Sequence, residues 1–230
     1  MIRGAPRRCR PRSTTEWIGR RGSLSGVITV NGRQGHSAYP HLADNPLPGL
    51  MQLADALLRP PFDAGTKNFQ PTNLELTSID VGNPAGNVTP AKATMAFNIR
   101  FNDTWSVETL QAEIHNRMDR AARRKTYRKG RKELVDYEVE WRGRASPVFL
   151  TRDDSLIATL GRSIETVTGR TPQLSTSGGT SDARFIKDYC PVVEFGLVGK
   201  TMHMVDERVA LADLETLTGI YGRFIEEWFA

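Results

Sequence analysis

The order of amphipathic patterns between residues 26 and 142 constrains the fold more than any other feature of this sequence. Apolar residues that alternate with polar ones predict four strands, at 27–30, 72–81, 91–101 and 135–141. Apolar residues at three- and four-residue spacings predict two helices, at 45–59 and 106–124. This order of strands and helices is that of the split βαβ arrangement. We therefore predict a βαββαβ ferredoxin-like domain, with a four-stranded antiparallel sheet and two helices on one face.

Local signals support the ends of these elements. Pro60 and Pro61 should end the first helix, because proline has no backbone N–H to donate. Ser106 is a suitable N-cap for the second helix. Residues 82–87 are rich in glycine and asparagine, which tolerate positive φ, and predict a turn between two strands.

The remainder of the chain has a different pattern. Helices are predicted at 153–168, 181–189 and 211–229. A short strand should precede Gly178, and the apolar run at 192–195 predicts a buried strand that is covered on both faces. So few strands in residues 144–230 would leave sheet edges bare. We therefore predict an α/β protein overall, an α+β domain followed by part of a larger α/β domain whose other strands lie outside this chain.

Composition excludes several classes of protein. With 39% apolar and 25% charged residues, the chain is typical of soluble globular proteins. It contains no run of 18 apolar residues, so we predict no membrane span. Residues 1–19 mix Arg, Pro and Ser without a hydrophobic period, and we predict them to be disordered or out of their proper context. They lack the apolar core of a secretory signal, and with only two cysteines we expect a cytoplasmic protein.

The net charge of +5 raises the question of a nucleic-acid partner. The excess lies in residues 3–21 and in a basic run from 117 to 132. Such a run is more often a solvated helix end than a phosphate-binding patch. Tyr127 is the one aromatic residue within its most basic part, and no nucleic-acid motif accompanies it. We therefore predict no nucleic-acid partner.

Three of the four histidines lie in loops that could carry chemistry. His203 follows the predicted strand at 192–195, and loops at the carboxyl ends of such strands are where ligands gather. A hydrogen-bonded structural role is the alternative for His203, because a zinc site needs at least three protein ligands. His36 and His41 follow the first strand and could offer an imidazole to a substrate or simply belong to a polar loop.

A second candidate site is the segment 175–184, where Gly178 and Gly179 precede Thr, Ser and Asp at a predicted helix start. Free backbone N–H groups and hydroxyls at one point suit a carboxylate or a phosphate, and Arg184 lies one turn further on. The alternative is a simple N-capped helix. Arg20, Arg21 and Arg100 are further candidates for carboxylate binding.

Six motifs occur together in one order, at 20–26 (RRGSLSG), 35–46 (GHSAYPHLADNP), 87–90 (NVTP), 97–100 (FNIR), 177–185 (SGGTSDARF) and 201–203 (TMH). Over residues 20–230 they resemble the zinc-dependent aminoacylase, carboxypeptidase and desuccinylase superfamily. Within it they are most similar to the succinyl-diaminopimelate desuccinylases. The runs at 35–46 and 177–185 are long enough to make the resemblance specific.

The resemblance implies a domain organisation and roles for particular residues. Residues 20–143 would be the lid, which is also the dimerisation domain of a homodimer, and residues 144–230 the C-terminal part of the catalytic domain. His203 corresponds to the last zinc ligand of a two-metal site, in which cobalt can replace zinc. His36 corresponds to the catalytic lid histidine that stabilises the oxyanion in the partner subunit. The residues that correspond to substrate-binding positions are Arg20, Tyr39, Asn87, Arg100, Gly179, Thr180 and Arg184.

The implied reaction is hydrolysis of N-succinyl-LL-2,6-diaminopimelate, in lysine and cell-wall synthesis. The family's first half should carry a His-x-Asp pair, a bridging Asp, a Glu that activates water and two further ligands, and this sequence has none of them. Ala183 and Gly199 also depart from many relatives. We therefore expect a truncated or frameshifted form that retains one metal ligand and is inactive alone. The alternatives are another deacylase of the superfamily, such as an acetylornithine deacetylase or a carboxypeptidase, and a non-enzymatic dimerisation module.

Overall fold

The structure of the protein is a computed structural model, and it describes residues 15–123, 134–197 and 199–230. The chain divides into two compact units. The central unit is Arg21–Val148, and the terminal unit combines Phe149–Ala230 with the N-terminal segment up to Arg20. Part of the basic run, residues 124–132, lies outside the described residues.

Strands and helices are numbered separately in chain order. The strands are β1 Thr15–Trp17, β2 Gly19–Arg20, β3 Gly22–Asn31, β4 Gly35–His36, β5 Asn73–Asp80, β6 Val88–Thr89, β7 Lys92–Phe101, β8 Tyr137–Ser146, β9 Phe149–Leu150 and β10 Gln173–Ser175. The helices are α1 Leu47–Leu58, α2 Val107–Ala122, α3 Asp154–Thr168, α4 Ala183–Ile186 and α5 Leu211–Trp228.

The central unit contains one four-stranded sheet in the order β5-β7-β3-β8, and all neighbouring strands are antiparallel. Counted in chain order this is 4-1-3-2, read from β8, which is the order of the split βαβ arrangement. The predicted fold of this region is confirmed, with β3 longer than predicted because Gly22 already pairs with Phe101. The two ends of α1 and the N-cap of α2 also lie within two residues of their predicted positions.

The core of the central unit lies between the sheet and the two helices. Alternate residues of β3 and β7 are buried, as the period of two in the sequence requires. The fully buried side chains of this core include Ile28, Leu53, Met95, Phe97, Ile99, Phe101, Leu110, Ile114 and Met118. The opposite sides of β3 and β7 are half-buried and largely polar, with Ser25, Asn98 and Arg100.

A carboxylate inside a loop closes one end of this core. Asp63 accepts hydrogen bonds from the backbone N–H groups of Gly65 and Thr72, from Asn102 Nδ2 at 2.6 Å and from Trp105 Nε1 at 2.8 Å. Burial by itself raises the pKa of Asp63, but the hydrogen bonds from Thr72, Trp105 and Gly65 outweigh it and lower the pKa to about 2. The loop before β5 is therefore joined to the end of β7 and the start of α2.

The terminal unit is built differently. Its helices α3 and α5 pack together around Leu160, Ile164 and Ile220. Its strands form two small pairs, β1 with β10 in parallel and β2 with β9 antiparallel. Asp153 caps α3 by accepting from Leu156 N, and Gly169 ends it in the left-handed conformation. The helix starts one residue after the predicted range of 153–168 and ends with it.

Three predictions for the terminal unit are wrong. Residues 192–195 do not form a buried strand, since Glu194 alone makes a bridge there, to Trp17, and the segment is half-buried. The helix predicted at 181–189 is only Ala183–Ile186. Thr15–Trp17 is a strand rather than a disordered segment, because residues 173–175 provide a partner that is distant in sequence. The rest of the predicted disordered segment, residues 1–14, lies outside the described residues.

Within the described part of the chain, no helix has the length and apolar composition that a membrane span requires.

Candidate functional site

His36 lies at the edge of the central unit, in a pair of very short strands. β4 pairs with β6, so that His36 lies opposite Val88. The N–H of Ser37 donates to the carbonyl of Asn87 at 2.9 Å, and Thr89 Oγ1 donates to the carbonyl of Gly35 at 3.1 Å. The motifs at 35–46 and 87–90, separate in sequence, therefore form one loop pair.

The orientation of the His36 ring is set by its own loop. The backbone N–H of Ala38 donates to His36 Nδ1 at 3.1 Å, so this nitrogen is an acceptor. In a neutral imidazole the proton then sits on Nε2, which is free to donate outwards. His36 is exposed, as a residue that acts on an external ligand needs to be.

The ring of His36 lies near that of Tyr39, which in turn lies near the ring of His41. The ring of Tyr39 lies 5.7 Å from that of His36 and 6.3 Å from that of His41. Tyr39 is 55% exposed, so its ring is accessible from solvent. Asn87 is also exposed, while its carbonyl holds the loop pair together.

Arg100 and Arg21 form a second polar site in the central unit. Arg100 lies on β7 opposite Ser23 of β3 and Asn73 of β5. Arg21 Nη1 donates to Asn73 Oδ1 at 2.7 Å and to the carbonyl of Pro71 at 3.1 Å. Burial, and then the charge of Arg100, lower the pKa of Arg21. Two neighbouring guanidinium groups repel each other, so this site favours an anion.

Unused donors support the same conclusion. Arg21 Nε and Arg100 Nη1 are buried, and neither has a hydrogen-bond partner among the residues that the structure describes. A buried donor without a partner costs on the order of 1–3 kcal/mol, which a bound carboxylate or phosphate would relieve.

Arg20, the third predicted arginine, is in the terminal unit and is already engaged. Its Nε donates to Glu194 Oε2 at 2.6 Å, and its Nη1 donates to the carbonyl of Ser177 at 2.8 Å. The guanidinium lies 5.1 Å from the centre of the Trp17 ring. Arg20 therefore has mainly intramolecular contacts, a role that the sequence did not indicate.

The Gly178 turn, residues 176–180, follows β10. Gly178 has φ of 91°, a conformation that residues with a Cβ rarely adopt. Nothing lies within 4 Å of the position that a Cβ would take at Gly179, so the backbone there faces open space. Thr180, which follows, is half-buried. A ligand can approach the main chain at Gly179.

Arg184 and Ser181 lie just after the Gly178 turn. Arg184 Nε and Ser181 Oγ are buried without a hydrogen-bond partner in the described part of the chain. The guanidinium carbon of Arg184 lies 4.6 Å from the centre of the Phe185 ring. The polar atoms without a partner beside this turn are therefore the Arg184 Nε–H and the Ser181 hydroxyl. Both can donate a hydrogen bond to an anionic group.

His203 lies in an exposed turn of the terminal unit. Its φ is 61°, and its backbone N–H donates to Glu207 Oε2 at 3.3 Å. Thr201 Oγ1 closes the turn by donating to the carbonyl of Arg208 and accepting from its N–H. The backbone of His203 is therefore fixed while its ring faces solvent.

The donor set around His203 does not complete a metal site. Among residues 15–123, 134–197 and 199–230, no three His, Cys, Asp or Glu side chains are arranged as metal ligands would be. The described residues therefore do not fit a zinc centre by themselves.

Taken unit by unit, the structure brings some of the predicted residues together. His36, Tyr39 and Asn87 share one loop pair. In the terminal unit, Arg20 contacts the Gly178 turn that contains Gly179 and Thr180, with Arg184 following, whereas His203 lies in a separate turn.

Two acidic residues were missed by the sequence reasoning. Glu194 pairs with Arg20, and the signal that could have identified it is a charged residue inside the apolar run at 192–195. Glu16 is fully buried, and both of its carboxyl oxygens lack a partner among the described residues. Burial raises the pKa of Glu16 to about 7. Nothing in the local sequence around Glu16 indicates this environment.

Comparison with protein families gives one match. Residues 18–126 match the family described as a peptidase dimerisation domain, of the M20 type. The match covers β2 to α2 completely and includes the loop pair of His36 and both Arg21 and Arg100.

Several solved structures share the fold over most of this chain. A tripeptidase from Staphylococcus aureus is 17% identical and has a TM-score of 0.73, with 93% of this chain and 53% of that chain covered. The aminopeptidase PepT from Bacillus cereus is 19% identical with a TM-score of 0.70, covering 95% and 55%. An M20 family metallo-carboxypeptidase from Sulfolobus solfataricus is 13% identical with a TM-score of 0.71, covering 93% and 61%. The chain therefore spans a little over half the length of the structures it matches.

Proposed function

We propose that this chain is the C-terminal half of a metal-dependent amide hydrolase of the M20 type. The observation that carries the proposal is the loop pair of His36 and Asn87, which offers an oriented imidazole from a region that matches a peptidase dimerisation domain. The fold shared with a tripeptidase, an aminopeptidase and a carboxypeptidase supports the same class of reaction.

His36 would act by stabilising the oxyanion of the tetrahedral intermediate. Because Nδ1 is occupied by the N–H of Ala38, the outward Nε2–H can donate to the oxygen that gains negative charge. The ring is held by its backbone before substrate arrives, so little orientation has to be gained during the reaction. Tyr39 would line the same position.

The substrate that we propose is an acylated amino acid with carboxylates at both ends, and specifically N-succinyl-LL-2,6-diaminopimelate. Arg100 with Arg21 would bind one carboxylate through donors that have no partner in the described residues. In the terminal unit, the backbone of Gly179, with Thr180 and Arg184, is a separate candidate for binding a carboxylate. This specific substrate rests on the resemblance of the motifs at 35–46 and 177–185.

We propose His203 as one zinc ligand, with cobalt as an alternative metal. Since the described residues do not complete a metal site, the remaining ligands and the base that activates water must come from another segment or another polypeptide. We therefore propose that this chain alone is inactive and that its own contribution is to bind substrate and to stabilise the oxyanion.

We further propose that the central unit forms a homodimer. The matched family is a dimerisation domain, and among the described residues β5 and β8 are the two edge strands of the central sheet. Size-exclusion chromatography with light scattering should give twice the mass of one chain. A monomer at micromolar concentration would contradict this part of the proposal.

The activity test uses complementation between subunits. The chain alone, with zinc or cobalt, should not hydrolyse N-succinyl-LL-2,6-diaminopimelate. A full-length desuccinylase whose own lid histidine is replaced by alanine should regain turnover when it forms a mixed dimer with this chain, because His36 is supplied in trans.

The control for complementation is a second histidine of the same unit. His36→Ala should abolish the regained turnover, whereas His115→Ala should not, since His115 lies on α2 with its ring against that of Trp141 and away from the loop pair of His36 in sequence. Hydrolysis by the chain alone, or equal turnover with His36→Ala, would contradict the proposal. A panel of N-acetylornithine and dipeptides in the same assay separates the desuccinylase from other deacylases.

A non-enzymatic dimerisation module is the second candidate function. It is favoured by one observation, the complete hydrophobic core of the central unit, which does not depend on a catalytic domain. Dimer formation without complementation in the mixed-dimer assay would support this alternative.

A further inference from the structure

The contacts of Arg20 join three segments of the terminal unit that are distant in sequence. Arg20 itself lies in β2, Glu194 follows the α4 region, and Ser177 belongs to the Gly178 turn. The side chains of Arg20 and Glu194 are only 14% and 22% exposed. Solvent therefore screens this ion pair less than it screens a pair at the surface.

The position of Glu194 is fixed independently of its side chain. Its backbone exchanges two hydrogen bonds with Trp17, at 2.9 and 3.0 Å. The ring of Trp17 in turn lies against the Arg20 guanidinium. Arg20 is thus held by a carboxylate on one side and an aromatic ring on another, which leaves Nη1 aimed at the Ser177 carbonyl.

The same guanidinium fills the space beside Gly178. A Cβ on Gly178 would come within 2.7 Å of Arg20 Nη1, which is closer than van der Waals contact allows. Ser175 and Ser177 close the turn from the other side, with their hydroxyls 2.8 Å apart and Ser177 N donating to Ser175 Oγ at 3.1 Å. The Gly178 turn is therefore supported by the Arg20 guanidinium and by the hydroxyl groups of Ser175 and Ser177, whereas the space beside Gly179 is open.

We propose that Glu194 is a positioning residue, which acts through Arg20 to hold the Gly178 turn in the open shape that receives an anionic ligand at Gly179. Its use in catalysis rests on the proposed function, in which this turn binds a substrate carboxylate. Glu194 touches no substrate in this proposal. The Glu194 carboxylate orients the guanidinium group of Arg20 by accepting from its Nε. The Nη1 of the same guanidinium then donates to the Ser177 carbonyl and so holds the turn.

The test measures the turn directly by nuclear magnetic resonance. In the wild-type chain the amide order parameters of residues 177–180 should be those of rigid backbone, about 0.85. Glu194→Ala should lower them to below about 0.6, and Glu194→Gln, which keeps an acceptor oxygen but loses the charge, should give intermediate values. The Arg20 Nε–H resonance should move upfield in both variants as its charged partner is lost.

Glu165→Gln is the matched control, because Glu165 is an exposed acid of the same unit whose carboxylate accepts from Thr171 Oγ1. It should leave the turn rigid. An unchanged turn in Glu194→Ala overturns the proposal, as does loosening of α3 to the same extent as the turn. If Glu194→Ala fails to fold, the order parameters of residues 177–180 in Glu194→Gln serve as the test. An unchanged turn in Glu194→Gln then overturns the proposal.

A ligand measurement separates this inference from the proposed function. Succinate, titrated against the wild-type chain, should shift the amide signals of Gly178 and Gly179, and Glu194→Gln should weaken its binding about tenfold, as expected for one displaced charged hydrogen bond. If wild-type chain does not bind succinate, the proposed substrate is contradicted while the order parameters still decide the role of Glu194. If succinate binds equally to both proteins, the positioning role is overturned.

Discussion

The central and terminal units differ in how they bury their apolar side chains. Among the described residues, one cluster of 17 buried apolar residues forms the core of the central unit, whereas three form that of the terminal unit. In the terminal unit, large apolar side chains of α5 such as Leu211, Ile225 and Trp228 are exposed. Because stability follows the apolar area removed from water, the central unit should be the more stable.

The two units also differ in the hydrogen-bond partners that they give to a carboxylate that is partly or fully shielded from solvent. Asp63 in the central unit has four donors directed at it, and its pKa is lowered to about 2. Glu16 in the terminal unit has no partner among the described residues, and its pKa is raised to about 7. A buried acid therefore stabilises a fold only where backbone and side-chain donors surround it.

Removal of a core ring should have the largest effect. Phe97→Ala is expected to lower the free energy of unfolding of the central unit by about 4 kcal/mol, because it leaves a cavity in a closely packed core. Ile220→Ala in the smaller core should lower that of the terminal unit by about 3 kcal/mol. Urea denaturation followed by hydrogen exchange of each unit measures both. Ala96→Ser, on the other face of β7, should change little, and an equal loss in it would contradict the assignment of faces.

The buried Glu16 should make the terminal unit sensitive to pH. The folded pKa of Glu16 is raised from 4.5 to about 7, so the folded state keeps its proton where the unfolded state has lost it. The free energy of unfolding should therefore fall by about 3 kcal/mol as pH rises from 4.5 to 7 and level off above. Glu16→Gln should remove this slope, as followed by thermal unfolding across pH.

Glu165→Gln is the control for Glu16, since Glu165 is an exposed acid of the same unit. A slope that persists in Glu16→Gln, or that disappears in Glu165→Gln, would show that another group causes it.

Asp63 should have the opposite dependence on pH. Its folded pKa lies below its ordinary value of 3.8, so its contribution is present above pH 4 and is lost as pH falls toward 2. Asp63→Asn should lower the free energy of unfolding of the central unit by about 2 kcal/mol at neutral pH and flatten the acid limb. Acid titration followed by circular dichroism measures this. Asp136→Asn, an exposed acid of the same unit, should match the wild type.

The helix caps should give the smallest effect and allow a direct comparison of the units. Ser106→Ala in the central unit and Asp153→Ala in the terminal unit each remove a side chain that accepts from the first turn. Each substitution should lower the free energy of unfolding of its own unit by about 1 kcal/mol. Asp153→Ser, which can still cap, should retain most of the stability. A larger loss for α3 than for α2 would show that the smaller unit depends more on its helix ends.

The accuracy of the sequence predictions follows the same division. In the central unit, β3 pairs with β7 and β8, which are distant in sequence, but the period of apolar residues within each strand and helix was regular enough to predict the fold and the buried faces. In the terminal unit, residues 192–195 were predicted to form a strand but do not. Among the described residues, Glu194 alone of this segment forms a bridge, with Trp17. The apolar pattern was present, but pairing depends on a segment that is far away in the chain.

The candidate site divides in a similar way. Motifs in the sequence identified His36, Arg100, the Gly178 turn and His203 as residues to consider, and their roles stay proposals. The sequence did not predict that Arg20 pairs with Glu194 rather than facing solvent. The sequence named Arg21 and Arg100 as candidates for carboxylate binding, but it did not predict that one nitrogen of each would be buried without a partner among the described residues, because burial of a single nitrogen depends on side chains from several elements.

The sequence by itself determined the order of strands and helices in the central unit, because side-chain periods of 2 and 3.6 residues are local properties of the backbone. Only the tertiary structure decided which charges are satisfied. Asp63 is half-buried and Glu16 is fully buried, and their pKa values are shifted in opposite directions because donors surround Asp63, whereas Glu16 has none among the described residues. The free energy of a buried charge depends on these through-space contacts, which the linear order of residues does not contain.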